Sequence, residues 1–340
     1  MTGAAPRTAR ARTDRARTDR ARTARARTAA LVVAALLGSL LAACTGGNGG
    51  SDDGSSRRPG RSPDESARPA GPVLAVKIDN VGPARPQAGL DAADVVFAEQ
   101  VEGGLSRLMA LYATRYPESV GPVRSARESD LELLRQFHEP TLAFSGAQHK
   151  LLPLIGSAPL RAATPESKPD AFYRAPGRPA PHDLFLRPRA LMGSAPGADA
   201  LTTGFRFGAA PPGGTSESAR TVRFPAARFT FTWSGDRRRW LVSTDGRPTV
   251  TTGGDRIAPA TVVVQYVSVR ASRFHDYLGS TTPYTETVGA GRAEVLRDGR
   301  AYEGHWKRDT ATQGTKFTTP DGAPLNFAKG QVWVVLAEKP

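Results

Sequence analysis

The chain has 340 residues, 39% hydrophobic and 23% charged, enough apolar material for one large or two medium folded domains. Lys and Arg number 46 against 32 Asp and Glu, and the resulting net charge of +14 invites nucleic-acid binding until its placement is considered. Residues 1–30 hold nine Arg and two Asp, so half of the excess sits in one low-complexity leader. The single cysteine, Cys44, excludes intramolecular disulfides, thiolate zinc sites and a cysteine nucleophile within the body of the chain.

After the leader, residues 29–43 form an unbroken apolar run of fifteen residues ending in Leu41-Ala42-Ala43-Cys44. A spanning helix needs about 20 apolar residues, so the run reads as the hydrophobic region of a signal peptide. The Leu-Ala-Ala-Cys ending resembles the lipobox of bacterial lipoproteins, in which the cysteine thiol receives a diacylglyceryl group and becomes the new N-terminus. Residues 1–43 are therefore expected to be a lipoprotein signal peptide with an Arg-rich leader, and Cys44 the lipidation site. Residues 45–72 are rich in Gly, Ser, Pro and charge, and read as a disordered tether of roughly 30 Å r.m.s. span. Such an address holds the body at the extracytoplasmic face of the cell membrane. No nucleic-acid partner is expected there, and anionic wall polymers or cell-wall synthesis proteins are.

From residue 73 short apolar runs alternate with helical stretches. Val73 to Ile78 is strand-like and ends at Asp79-Asn80; Val95 to Ala98 ends at Glu99; Leu108 to Tyr112 follows the Gly103-Gly104 break. Ser125-Ala126-Arg127-Glu128 fits a helix capping box with Ser125 as the cap, and Leu131, Leu133, Leu134 and Phe137 follow at helical spacing. Thr141 to Phe144 is another strand, and His149 to Ile155 a short helix. Residues 194–218, rich in Gly, Pro and Ala, read as a linker. From Thr221 the texture changes to period-2 strands, with hairpins predicted around Ser234-Gly235-Asp236 and Asp298-Gly299 and a closing strand from Gln331. The expected architecture is an α/β first domain over 73–215, a mixed sheet with helices, followed by a smaller, mostly antiparallel β domain over 221–340.

Several strings together resemble the YerB-like bacterial lipoproteins, a family built on a paired domain of unknown function. They are Lys77-Ile78-Asp79-Asn80, Ala84-Arg85-Pro86-Gln87, Glu102-Gly103-Gly104 and Gly121-Pro122-Val123-Arg124-Ser125-Ala126-Arg127 in the first half, with the 291–309 hairpin and the closing strand in the second. The resemblance implies a lipoprotein with an α/β first domain and a β-rich second one, and it carries no established reaction. Ala180-Pro181-His182-Asp183-Leu184 departs from the family's His-Asn-Leu form at Asp183.

Polar groups gather where the predicted strands end, as they do at the ligand crevice of open α/β sheets. Asp79, Asn80, Arg85, Glu102, Arg124, Ser125 and Arg127 are the candidate ligand-binding residues. Arg124 and Arg127 beside a helix N-terminus suit a carboxylate or phosphate; the same two arginines suit a buried network with Glu99, Glu102 or Asp130. The acids have no calcium-loop spacing, the five histidines form no metalloprotease pair, and Ser145 lacks the first glycine of a nucleophile elbow. No metal or cofactor is expected. The favoured reading is a membrane-anchored protein that binds an anionic envelope ligand or a protein partner in cell-envelope maintenance. One alternative is an envelope glycan or peptide hydrolase using Glu99 or Glu102 with His149; another is a scaffold that recruits wall-synthesis proteins.

Overall fold

The computed structural model describes residues 71–276 and 278–340. The leader, the apolar run, Cys44 and residues 45–70 of the tether segment lie outside the described residues.

The first half supplies β1 (Leu74–Asp79), β2 (Val95–Gln100), β3 (Ser106–Tyr112), α1 (Glu128–Leu134), β4 (Thr141–Ala143), α2 (Leu152–Ser157), β5 (Arg161–Ala163), β6 (Phe172–Arg174), β7 (Leu184–Leu186) and α3 (Pro188–Met192). After it come β8 (Thr215–Ser216), β9 (Ala219–Phe224), β10 (Ala227–Ser234), β11 (Arg239–Thr244) and β12 (Arg247–Pro248). The chain closes with β13 (Thr261–Val267), β14 (Val269–His275), β15 (Thr281–Thr285), β16 (Gly289–Arg297), β17 (Arg300–Arg308), β18 (Lys316–Thr318) and β19 (Val332–Glu338).

Eleven of these strands form one mixed sheet, ordered β18-β17-β16-β13-β19-β2-β3-β1-β4-β5, with β8 on the edge of β17. The closing strand β19 lies parallel to β13 on one side and to β2 on the other, so strands from both halves share the sheet. Burial on both faces explains why β1, β2, β13 and β19 read as near-continuous apolar runs rather than alternating ones.

Opposite faces pack against different layers. On one face Leu74, Val76, Ile78, Val96 and Trp333 meet the antiparallel sheet β9–β12, whose strand β10 alternates Phe229 and Phe231 inward. Both rings meet Trp333 edge-on, with centroids 6.1 and 6.2 Å away. On the other face Ala75, Phe97, Met109 and Leu111 meet Leu133, Leu134 and Phe137 around α1 and Leu151 and Ile155 around α2.

The expected mixed sheet is present in the first half, but the helices of the α/β expectation are few. Among the described residues the α-helices are three, of only seven, six and five residues, so the first half is a mixed sheet with short helical connections. Their apolar stripes are a turn or two long, and α3 stops at Gly193, whose φ of 73° a helix cannot use. In the second half β9–β12 and the β16–β17 hairpin are antiparallel as expected. The helix start is corrected too. The cap is Arg127 rather than Ser125, because the carboxylate of Asp130 accepts the Arg127 backbone N–H at 2.7 Å and fixes the first turn there.

Candidate functional site

The site follows from the register of three strands. Asp79 of β1 and Glu99 of β2 both stand opposite Arg107, the second residue of β3. Side chains two apart share a face, so Lys77 and Asp79 continue the row of Val73 and Ala75, and Glu99 continues that of Val95 and Phe97. The face covered by α1 is therefore apolar along most of its length and ionic where β1 and β2 end.

Inside this ionic end, Lys77 is fully buried. Its Nζ donates to Asp130 Oδ1 at 2.6 Å and pairs also with Glu99, which is buried as well. Burial pulls the Lys77 ammonium down to about 8 against the attraction of Asp130. Nearer solvent, the turn after β2 carries Glu102. Gly103 and Gly104 hold φ of 66° and 69° there, and a Cβ on Gly104 would stand 2.5 Å from Pro225. Arg127 grips Glu102 with two parallel bonds of 2.6 and 2.7 Å, and Thr282 of β15 donates to the same carboxylate. Burial works against the charged form of Glu102, but Arg127 and Thr282 hold its carboxyl below the usual range.

The 121–127 segment bridges the ends of β1 and β4, beyond the residues at which the two strands pair. Arg124 N donates to Lys77 O, Asp79 N to Pro122 O and Ser145 N to Arg124 O, at 2.8 to 3.1 Å. Val123 and Ala126 are buried, which leaves Arg124 turned outward. Its Nε lies 3.1 Å from Asp79 Oδ2, and the same oxygen lies 2.9 Å from His182 Nδ1.

The groups nearer solvent line a cleft of about 690 Å³. Asp79, Glu102, Arg124, Ser125, Arg127 and His149 of the candidate residues reach it, and the β14–β15 hairpin of the second half walls it with Phe274, His275 and Thr282. Asn80, Arg85 and Glu99 do not. Asn80 is buried between Ser106 Oγ and Gln87 Nε2, both at 2.9 Å. Arg85 binds the Asn80 carbonyl and, at 2.7 Å, Asp245 of the β11–β12 turn. Glu99 is committed to Lys77 and, at 3.3 Å, to Ser129.

Arg107 and His182, which also line the cleft, escaped the list of candidate site residues. Arg107 opens an otherwise apolar strand, and its only signal was a register with Asp79 that the sequence does not display. Among the described residues its side chain makes one hydrogen bond, from Nη1 to Ser125 O at 3.0 Å, so its other donors are left for the cleft. Burial first, then the charge of Arg127, brings it down to about 10, still a cation at neutral pH. His182 was legible as part of a motif but had no partner in the sequence. The neighbouring Asp183, where the sequence departs from the family form, faces away from it and pairs with Arg174 at 2.7 Å. In the second half Trp306 is buried and its Nε1 donates to Tyr266 O at 2.8 Å, which makes it a packing residue.

Comparison with known proteins agrees with this architecture. A 64-residue stretch is 45% identical to "Putative lipoprotein YerB" of Bacillus subtilis (strain 168), and the match spans 19% of each chain. The crystal structure of the YerB protein from Bacillus subtilis superposes with a TM-score of 0.65 at 21% identity, covering 79% of this chain and 91% of that one, which establishes a shared fold. Residues 59–201 match the family described as "Protein of unknown function (DUF3048) N-terminal domain" and residues 220–334 match its C-terminal domain. The strings quoted above, the paired domains and the shared fold together place this chain in the YerB-like family of paired DUF3048 domains.

Proposed function

We propose that the chain is a lipoprotein, anchored through Cys44 at the extracytoplasmic face of the cell membrane, whose cleft binds an anionic ligand of the envelope. The observation that supports the binding reading is Arg107: a largely buried guanidinium that lines an open cleft, makes a single hydrogen bond among the described residues, and has Arg124 and His182 beside the same carboxylate row. Surface arginines are easily hydrated, whereas one held in this setting has fixed donors aimed at a ligand. Arg127, the other half of the sequence-level anion site, is spent on Glu102, which moves the proposed site toward Arg107 and Arg124. The commitment of Glu99 to Lys77 and of Glu102 to Arg127 also favours binding over the hydrolase built on those acids.

Titration calorimetry with inorganic phosphate, glycerol 3-phosphate and citrate tests the binding. At least one is expected to bind the wild type, and Arg107→Gln to weaken it about 10- to 100-fold, the equivalent of roughly 1.5–3 kcal/mol for a charged hydrogen bond. Failure of all three to bind the wild type sinks the proposal. The anchor is tested separately: wild type should enter the detergent phase of a Triton X-114 partition, and Cys44→Ala should remain unprocessed or leave that phase, because two acyl chains hold stably. A Cys44→Ala variant with unchanged partition and mobility removes the lipoprotein reading.

A further inference from the structure

The cleft holds an ordered carboxylate–imidazole pair that ligand binding alone does not call for. His182 Nδ1 stands 2.9 Å from Asp79 Oδ2, and Asp79 is buried and further fixed by Arg124 Nε at 3.1 Å. A carboxylate can only accept, so the neutral ring carries its proton on Nδ1 and its lone pair on Nε2. Among the described residues Nε2 has no protein partner, and the ring lines the cleft. Three of the five histidines of the chain, His149, His182 and His275, line this one cleft, and of these only His182 is held by a carboxylate.

Resting on the binding reading above, we propose that Asp79 and His182 form a proton-transfer dyad that hydrolyses a negatively charged carboxylic ester held by Arg107 and Arg124. Nε2 of His182 takes a proton from a water molecule as the water oxygen bonds to the ester carbonyl carbon. The carbonyl oxygen becomes an oxyanion, stabilised by the guanidinium donors. When the tetrahedral adduct collapses, the bond from carbon to the leaving oxygen breaks, and that oxygen takes the proton back from Nε2. The products are a carboxylic acid and an alcohol, and the imidazole is unchanged. His182 is the catalytic residue and Asp79 the positioning residue that fixes its tautomer.

The test uses the full chain in detergent with two chromogenic esters, the anionic 4-acetoxy-3-nitrobenzoate and the neutral 4-nitrophenyl acetate. The wild type should prefer the anionic ester at least about tenfold in kcat/KM, roughly one well-placed charge contact. His182→Ala should lower kcat by about 10²–10⁴-fold, and added imidazole should restore part of the rate. A structural role for His182 would not give that rescue. Arg124 still pairs with Asp79 in this variant, and His182→Gln, which keeps a polar side chain there, provides a second one. Asp79→Asn should lower kcat while leaving inhibition by inorganic phosphate unchanged or tighter, since it frees Arg124. Equal turnover by wild type and both His182 variants, with phosphate still bound, overturns the dyad and leaves the binding reading standing. Turnover that needs His182 but ignores both ester charge and phosphate supports the proton transfer and overturns the charge-holding role of Arg107 and Arg124, and with it the binding reading.

Discussion

Lys77→Met should destabilise the folded chain by about 3–5 kcal/mol, the loss that follows when one partner of a buried ion pair is removed and the others stay charged. Lys77 is fully buried, and its ammonium is the group that faces both Glu99 and Asp130 on the α1 side of the sheet. Methionine fills nearly the same volume, so the loss arises from two stranded carboxylates and not from a cavity. Asp130 also accepts the Arg127 backbone N–H that starts α1, so its disturbance reaches the cleft.

The pH dependence separates this account from a packing defect. In the wild type the folded value of Lys77, about 8, lies below its ordinary 10.5. The unfolded chain therefore binds more protons through that interval, and the Lys77 contribution makes stability rise with pH across it. In Lys77→Met the rise disappears. Urea melts of both proteins at pH 5, 7 and 9 check this. A triple variant, Lys77→Met with Glu99→Met and Asp130→Asn, removes the charges together and keeps an acceptor for Arg127; it should recover most of the loss, as apolar replacements of whole buried ion groups commonly do. A single variant that melts like the wild type at pH 7 would show that the triad carries no net interaction.

Local pattern and long-range pairing differ sharply in how far the sequence discloses them. β1, β2, β3 and the β16–β17 hairpin were legible because their apolar runs and the Asp298-Gly299 turn act within a few residues. The placement of β19 was not: its partners, β13 and β2, lie far apart in the chain, and a continuous apolar run announces burial without naming a neighbour. The same distinction governs the site. Asp79, Glu102, Arg124 and Arg127 could be marked because polar residues at strand ends and around Gly-rich turns stand out from their surroundings. The role of Arg107 depends on its register with Asp79 and Glu99, and that of His182 on a contact across 103 residues. Asn80 and Arg85 sit beside Asp79 in sequence, yet the chain turns at Val81–Ala84, which carries them toward Gln87 and Asp245 and out of the cleft.

Arg127→Gln should destabilise the protein by about 3–5 kcal/mol, whereas Arg124→Gln should stay within about 1 kcal/mol of the wild type. Both arginines come from one segment and both meet an acid, so the contrast rests on geometry. The Arg127 side chain is 12% exposed and grips Glu102, itself 8% exposed, through two parallel bonds; that of Arg124 is 25% exposed and meets Asp79 through Nε alone, with His182 as a second partner for the carboxylate. Removing Arg127 leaves Glu102 with Thr282 as its remaining side-chain partner. The folded value of Glu102 lies below the ordinary 4.5, so the pair's stabilisation is complete above the unfolded value and is lost as pH falls through the depressed folded one. Between pH 5 and pH 3 the wild type should therefore lose more stability than Arg127→Gln does, and the gap between the two should narrow toward acid. Thermal melts of both single variants at pH 7 and pH 4 decide the matter. Equal small losses in the two would mean that Arg127 is as free for a ligand as Arg124, and the anion site would then return to the pair first read from the sequence.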